Sequence, residues 1–264
     1  MSLDIWTLCE GPNRVAPIVC KPWRVVEAQH EISTRGLVDT LDEQIILEEI
    51  VDEAKPPAPS GSAFQSLHYL LSTPFRYPPL ANGSRFGSVT ERSLWYGALE
   101  LETSLAEKAY YLLLFVAGTT ATLKDLSCKW SAFRASVKAD RGVDLCGPHF
   151  VAYHPQICSP SSYADSQPLG SAMRRAGVEV FWFPSARCPR HGKAFGMFEA
   201  AFSTNKPTTP TTWECWLIPD GCEVIHRSPR KALTFKRADF EVAGKFPMPS
   251  VAIGSSGPGV SHRR

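Results

Sequence analysis

Apolar and polar positions alternate along this chain in two different periods, which predict both helices and strands. In the segment DTLDEQIILEEIVDEA, apolar residues recur every three or four positions and leave an acidic face opposite them, as in an amphipathic helix. Thr40 and Glu43 have the spacing of a capping box at its start, and Pro56 ends it. The apolar stripe consists of Leu41, Ile45, Ile46, Ile50 and Val51.

The rest of the pattern predicts helices and strands in mixed order. Residues 103–116 and 168–176 have the length and composition of helices, and Gly177 follows the second where helices commonly end. Short apolar or alternating runs predict strands at residues 94–96, 133–137, 178–183, 194–198, 213–218 and 223–226, with 178–183 as a central strand. Prolines and a glycine predict irregular structure over residues 72–83. We therefore predict an α+β fold, with a mixed β core and flanking helices.

Composition divides the chain into three parts. The segment KPPAPSGSA is rich in Pro, Gly and Ser, and predicts a linker or surface loop near residue 60. The Gly- and Ser-rich end of the chain predicts a disordered tail. We expect an N-terminal helical extension at residues 1–60, the main domain at 61–249 and the tail at 250–264.

Two features of the sequence exclude broad classes of protein. The longest apolar run, residues 109–117, is too short to cross a bilayer, so we predict no membrane span. The start, MSLDIWTLCEG, has Asp4 where a secretory signal has basic residues, and no long apolar stretch follows. A cytoplasmic location is therefore expected.

The eight cysteines are scattered through a chain too long to need a disulfide framework, so we expect reduced thiols. Cys188 and His191 have a spacing that can supply half of a zinc site, but no second matching pair exists. Buried thiols and a loop histidine explain the same residues. We predict no bound metal.

The net charge of +2 hides an asymmetry between two parts of the chain. Residues 1–60 contain five Lys or Arg and eleven Asp or Glu, a net charge of −6, which leaves +8 on the remainder. A basic body suits an anionic ligand, whereas the acidic part suits either partner contacts or a solvated helix face. The positive excess is too small and too dispersed to indicate binding to DNA.

One stretch gathers cations, aromatic rings and a carboxylate around a turn. Arg76 and Arg85 flank a Pro/Gly turn, from which both guanidinium groups can reach the rim of a cleft. Tyr77 and Tyr96 offer rings on which a base can stack, and Glu107 lies in an otherwise apolar helix. The pattern favours a cleft for an anionic ligand with an aromatic ring, and a nucleotide is one such ligand. Alternatively, each residue is structural or solvated.

Longer motifs carry a family resemblance. The strings LHYLLSTPFRYPPLANGSRFGSVTERSLWYGALELETSLAEKAYY, YADSQPLGSAMRRAGVEVFWFPSAR and GMFEAAF resemble the RES domain family, in its long form with an N-terminal extension. The resemblance implies a fold like that of ADP-ribosyltransferase toxins. It also implies a toxin of a bacterial toxin–antitoxin system, in hetero-oligomeric complex with an antitoxin that carries a DNA-binding domain. Such toxins act as NAD⁺ glycohydrolases or phosphorylases, glycosyltransferase-type enzymes that cleave the nicotinamide–ribose bond.

The same resemblance implies the site residues. The positions implied for catalysis are Arg85, Tyr96, Glu107 and Ser185. The positions implied for binding NAD⁺ are Arg76, Tyr77, Ser166 and Gln167. Ser185 is the first choice for the family's functional serine and Ser166 the second. One family block departs, because HGKAFGMF keeps Gly192 but lacks an asparagine.

The resemblance implies no cofactor, since NAD⁺ is the substrate and inorganic phosphate is the co-substrate if phosphorolysis operates. It implies no direct contact with nucleic acid. Two other functions stay open: an ADP-ribosyltransferase that modifies a macromolecule, and a nucleotide-binding module without catalysis.

Overall fold

The computed structural model describes residues 4–28, 39–53, 55–57, 61–119 and 126–249. Within these ranges the chain forms one mixed sheet with helices against it, which confirms the α+β class. The strands are β1 (Ala16–Cys20), β2 (Trp23–Glu27), β3 (Trp95–Ala98), β4 (Ser127–Arg134), β5 (Val137–Asp144), β6 (Val180–Pro184), β7 (Lys193–Met197), β8 (Thr211–Ile218), β9 (Gly221–Arg227) and β10 (Arg230–Lys236). The helices are α1 (Ile5–Leu8), α2 (Leu41–Glu53), α3 (Ser62–Gln65), α4 (Tyr69–Arg76), α5 (Leu101–Gly118), α6 (His154–Ile157) and α7 (Ser166–Arg175).

The order of strands in the sheet is β1-β5-β6-β7-β3-β2-β4-β8-β9-β10. Neighbouring strands are antiparallel except β5 and β6, which pair in parallel. Strand β6 is buried along its whole length, so the apolar run predicted as a central strand is confirmed. The turn after α7 contains Gly177 with φ +72°, as the predicted helix end requires.

Helix α2 has the start that its sequence predicts. The Thr40 hydroxyl accepts from the Glu43 backbone N–H at 3.2 Å, and the Glu43 carboxylate accepts from the Thr40 N–H at 3.1 Å. This reciprocal pair is the capping box. The apolar stripe, however, does not enter the core. Its described members lie more than half exposed: Leu41, Ile45, Ile46 and Ile50.

The first sixty residues are not only a helical extension, which corrects the prediction. Strand β2 lies inside the sheet between β3 and β4, and pairs along its length with β4, from Trp23 opposite Arg134 to Glu27 opposite Trp130. Strand β1 pairs with β5 at one edge. The predicted boundary at residue 60 therefore does not coincide with a break in the sheet. Residues 250–264, the predicted tail, lie outside the described residues.

Two other local predictions are wrong. Helix α4 continues through Pro74 to Arg76, where irregular structure was expected, because Leu70, Leu71 and Phe75 bury one face of it in the core. The single strand predicted at 133–137 is divided between β4 and β5. Strands β1, β2 and β10 have no counterpart in the prediction.

Helix α5 packs on the sheet and sets the direction of the site. It buries Leu105, Ala109 and Leu113, which recur every four residues, against a core that includes Trp130 and Trp213. Burying a large apolar side chain stabilises the fold by roughly 1.5–3 kcal/mol. Because this buried face fixes α5 on the sheet, the side chains on the adjacent face of the helix also have fixed positions. None of the helices in the described ranges is long and apolar enough to cross a membrane.

Candidate active site

A cavity of about 390 Å³ lies between the segment that follows α4, the strands β2 and β3, and helix α5. Arg85 and Glu107 both line it, so the structure brings together the cation and the carboxylate that the sequence singles out. The lining also includes Arg24, Tyr77, Leu80, Gly83, Ser84 and Tyr96.

A tight turn at residues 82–87 forms one wall. Gly83 has φ +67°, and a Cβ there would lie 2.3 Å from the Gly87 carbonyl oxygen, so only glycine fits. The Gln167 side-chain amide donates to the carbonyls of Asn82 at 2.8 Å and Ser84 at 3.0 Å. Gln167 was predicted to bind NAD⁺. In this structure its Nε2 holds the turn instead.

Tyr96, at the end of the same wall, is fixed by its hydroxyl. The hydroxyl accepts from the Phe86 N–H at 3.2 Å and lies 3.0 Å from the Ser84 Oγ. Burial raises the pKa of Tyr96 to about 12, against a smaller opposite effect of the Ser84 hydrogen bond. Tyr96 is therefore a neutral phenol at physiological pH.

Arg85 is a buried cation with defined partners. Its side chain is 8% exposed, and its Nη1 donates to the Ser159 carbonyl at 2.7 Å and to the Ile157 carbonyl at 3.4 Å. The guanidinium carbon lies 5.3 Å from the centre of the Tyr163 ring. Two carbonyls and one ring hold the group in a single orientation beside the cavity.

Glu107 is held by the first-choice serine. The Ser185 Oγ donates to Glu107 Oε1 at 2.6 Å, and accepts from the backbone N–H groups of Arg187 at 3.2 Å and Cys188 at 3.0 Å. The 2.6 Å distance is that of a charge-assisted bond between a hydroxyl and a carboxylate. Ser185 thus connects the loop after β6 to helix α5, and it fixes the carboxylate at the cavity wall.

The loop from 185 to 192 lies tightly against α5. The Ser185 N–H donates to the Gly192 carbonyl at 2.8 Å. A Cβ on Gly192 would come within 2.0 Å of the Thr103 Oγ1, so the close approach requires glycine. This close packing explains why the segment HGKAFGMF, which otherwise departs from the family pattern, keeps Gly192.

Arg76 and Ser166 have surroundings other than the cavity, whereas Tyr77 lies on its lining. Arg76 is not among the residues that line the cavity, and its Nε donates to the Pro56 carbonyl. Ser166 is fully buried at the start of α7, away from the cavity lining, and its Oγ has no hydrogen-bond partner within the described ranges. Tyr77 lines the cavity and is 41% exposed.

Sequence reasoning missed two arginines of this region. Arg24, on β2, lines the cavity, and its Nη1 donates to the Tyr96 carbonyl. Burial lowers the pKa of Arg24 to about 10, so it remains a cation at neutral pH. Arg187 is 4% exposed, with its guanidinium carbon 3.6 Å from the centre of the Tyr110 ring. The alternation in WRVVE and the motif PSAR are the signals that could have indicated them.

Cys188 and His191, whose spacing could supply half of a zinc site, lie in the loop after β6. Cys188 is buried, and its Sγ accepts from the Thr103 hydroxyl at 3.7 Å. Across the described part of the chain, no group of three or more His, Cys, Asp or Glu side chains is arranged to hold a metal ion.

Comparison with known proteins identifies the family. The family profile described as the RES domain matches residues 62–217. The chain belongs to the RES domain family. The matched range contains every site residue inferred from the sequence, together with Arg187, whereas Arg24 precedes it.

Similarity outside the family profile is remote. The RES domain chain is similar to a chain in the crystal structure of the M. tuberculosis MbcT–MbcA toxin–antitoxin complex, with a TM-score of 0.43 and 12% sequence identity. The similarity covers 89% of this chain and 93% of that one. No curated protein matches the chain. The function of this RES domain protein is therefore argued from its own residues.

Proposed function

We propose that this RES domain protein cleaves the nicotinamide–ribose bond of NAD⁺ and is the toxin of a bacterial toxin–antitoxin pair. One observation carries the proposal: the Glu107 carboxylate is held at the wall of the cavity by a 2.6 Å bond from Ser185. A carboxylate in a fixed position can stabilise a positive charge that develops on a sugar.

The chemistry requires little more than such a group. The bond between the ribose C1′ and the nicotinamide nitrogen breaks, and its electron pair goes to the pyridinium ring, which leaves as neutral nicotinamide. The ribose becomes an oxocarbenium ion, next to which Glu107 supplies negative charge. An oxygen of water or of inorganic phosphate then bonds to C1′, and in hydrolysis the water releases one proton to solvent. Positioning and charge stabilisation therefore supply the catalysis.

The other groups suit binding of the dinucleotide. Arg24 and Arg85 are cations at the cavity that can attract a diphosphate, and neutral Tyr96 presents a ring beside them. The cavity volume of about 390 Å³ lies within the roughly 300–1,000 Å³ common for small-molecule sites. Tyr77 and Leu80, which are 41% and 72% exposed, place apolar surface on its lining that suits a segment of an antitoxin.

The proposal is tested with purified protein and NAD⁺, with and without inorganic phosphate, with the products identified by mass. We expect release of nicotinamide, and a loss of about 100-fold or more in turnover for Glu107→Gln. Glu102→Gln is the matched control, because Glu102 lies on the same helix but pairs with Arg190 and Lys231 away from the cavity. Its turnover should stay within about twofold of wild type.

Other results would point elsewhere. Stable transfer of labelled ADP-ribose onto a macromolecule would favour an ADP-ribosyltransferase. Binding of NAD⁺ without turnover, in either buffer, would favour a binding module. Full turnover in Glu107→Gln would remove Glu107 from the mechanism.

A further inference from the structure

Arg187 is a buried arginine whose donors are unused. Its side chain is 4% exposed, and its Nη1 and Nη2 atoms have no hydrogen-bond partner within the described residues. These two atoms carry four N–H donors arranged as a planar fork. Buried charged groups are normally paired, because leaving them unpaired in a protein interior is costly. These donors can therefore bond to a hydrogen-bond acceptor that the described part of the protein does not provide.

The guanidinium is connected to the candidate active site through Ser185, although Arg187 itself is not among the residues that line the cavity. The backbone N–H of Arg187 donates to the Ser185 Oγ, which in turn donates to Glu107. Its guanidinium carbon lies 3.6 Å from the centre of the Tyr110 ring. Tyr110 is three residues beyond Glu107 on α5 and so shares a side of that helix with it. The unpaired fork thus packs on a residue that lies on the same side of α5 as the carboxylate.

The charges in this cluster do not balance. Two buried cations, Arg85 and Arg187, accompany one carboxylate, Glu107. Glu107 Oε1 already accepts from Ser185, and Arg85 Nη1 already donates to backbone carbonyls. Burial lowers the pKa of Arg187, and Arg85 acts in the same direction, while Tyr110 and Glu107 oppose them. A bound anion would compensate the excess positive charge.

We propose that Arg187 is the oxyanion-binding residue of this site. Its two terminal nitrogens bind one phosphate group, while the Tyr110 ring packs against the guanidinium. The inference rests on the proposed function for its context. The phosphate group is either part of the dinucleotide's diphosphate or a free inorganic phosphate, which share the same chemistry.

Calorimetric titration tests the assignment, with inorganic phosphate and ADP-ribose as separate probes in chloride buffer. ADP-ribose contains the diphosphate but no nicotinamide, so cleavage cannot disturb the measurement. In Arg187→Met, at least one of the two probes should bind about tenfold more weakly or worse. The matched control is Arg190→Met, which removes the same charge from the same loop at a side chain that is 79% exposed. Its affinities should stay within about twofold of wild type.

Each outcome decides the assignment. Weaker binding of ADP-ribose would show that Arg187 binds a phosphate group of the dinucleotide's diphosphate. Weaker binding of inorganic phosphate alone would show that it binds the free ion. Unchanged affinity for both probes in Arg187→Met would overturn the proposal. Arg187 would then be a structural residue whose guanidinium packs on the Tyr110 ring. Because the assay needs no turnover, a wild-type chain that binds but does not cleave NAD⁺ refutes the proposed function and not this one.

Thermal unfolding without ligand separates binding from folding. If Arg187 binds an anion and has no partner in the empty protein, Arg187→Met should melt at the wild-type temperature or above, because the substitution removes an unpaired buried charge. If Arg187→Met does not fold, Arg187→Lys keeps the charge and loses the fork. It should then fold and show the same weakened binding, and wild-type affinity for both probes in that variant would overturn the assignment.

Discussion

Two segments near the candidate active site carry buried arginines, and they differ in how completely their polar groups are bonded. In the turn at residues 82–87, Gln167 bonds two carbonyls, Tyr96 accepts from a backbone N–H, and Arg85 donates to two carbonyls. In the loop at residues 185–192, the Ser185 Oγ makes three hydrogen bonds, but within the described residues the terminal nitrogens of Arg187 make none. The groups named in the turn bond within the protein, whereas the terminal nitrogens of Arg187 do not.

The difference separates two uses of a buried polar side chain. A group whose bonds are all made within the protein gives the wall a single shape, which is what positioning a substrate requires. A group left with unused donors raises the free energy of the empty protein and favours the bound state. We therefore interpret the bonds within the turn as the scaffold that positions Arg85, and the Arg187 guanidinium as a group that needs a bound anion. Single substitutions can test this contrast.

The largest effect is expected from Ser185→Ala. It removes the acceptor of two backbone N–H groups and the donor that orients Glu107. Leaving buried groups unbonded costs about 1–3 kcal/mol each, so the free energy of unfolding should fall by roughly 2–3 kcal/mol. A displaced carboxylate should lower turnover about 100-fold. Urea unfolding and nicotinamide release measure the two effects.

Ser166→Ala is the matched control for that variant. Ser166 is as buried as Ser185, but its Oγ has no partner among the described residues. Removing an unbonded hydroxyl should change the unfolding free energy by less than about 0.5 kcal/mol, and turnover by less than about twofold. Equal losses in both serine variants would contradict the contrast and the choice of Ser185 over Ser166.

A smaller effect is expected from Gln167→Met, which keeps the side-chain length and removes the amide that bonds Asn82 and Ser84. The unfolding free energy should fall by about 1–3 kcal/mol, and KM for NAD⁺ should rise because the turn loses its fixed shape. Gln65→Met, at an exposed position, is the control and should behave as wild type. An unchanged KM together with reduced stability would limit Gln167 to a folding role.

The smallest effect concerns Tyr96→Phe and depends on pH. At pH 7 the lost hydroxyl should cost about 1 kcal/mol, because the Phe86 N–H loses its acceptor. The folded pKa of Tyr96 is about 12, above the unfolded value near 10, so its stabilising contribution is complete below pH 10 and is lost as pH rises towards 12.

The stability advantage of wild type over Tyr96→Phe should therefore shrink as pH rises above 10 and reverse before pH 12. Tyr110, whose pKa burial also raises to about 12, titrates in both proteins and cancels in the difference. Urea unfolding across that range measures it. A difference that widens with pH would show that the Tyr96 hydroxyl is not held as a neutral phenol.

Local pattern predicted the elements whose sequence contains their own signals. The capping box of α2, the buried run of β6 and the end of α7 at Gly177 all depend on residues close in sequence, and all are present. The prediction missed strand β2 because its five residues are only partly buried or exposed and form a short run without strict alternation. The α4 helix failed because burial of Phe75 outweighs the local effect of Pro74.

The sequence alone determined the α+β class, the family motifs and the residue types that share one cavity, because each depends on short-range periodicity or on a contiguous motif. Only the tertiary structure decided that Arg24 reaches the cavity from an N-terminal strand, that Gln167 braces a turn, and that Arg187 has no partner for its fork among the described residues. Hydrogen-bond satisfaction of a buried group depends on atoms contributed by distant segments. The periodicity of the sequence does not show which of these distant segments come into contact.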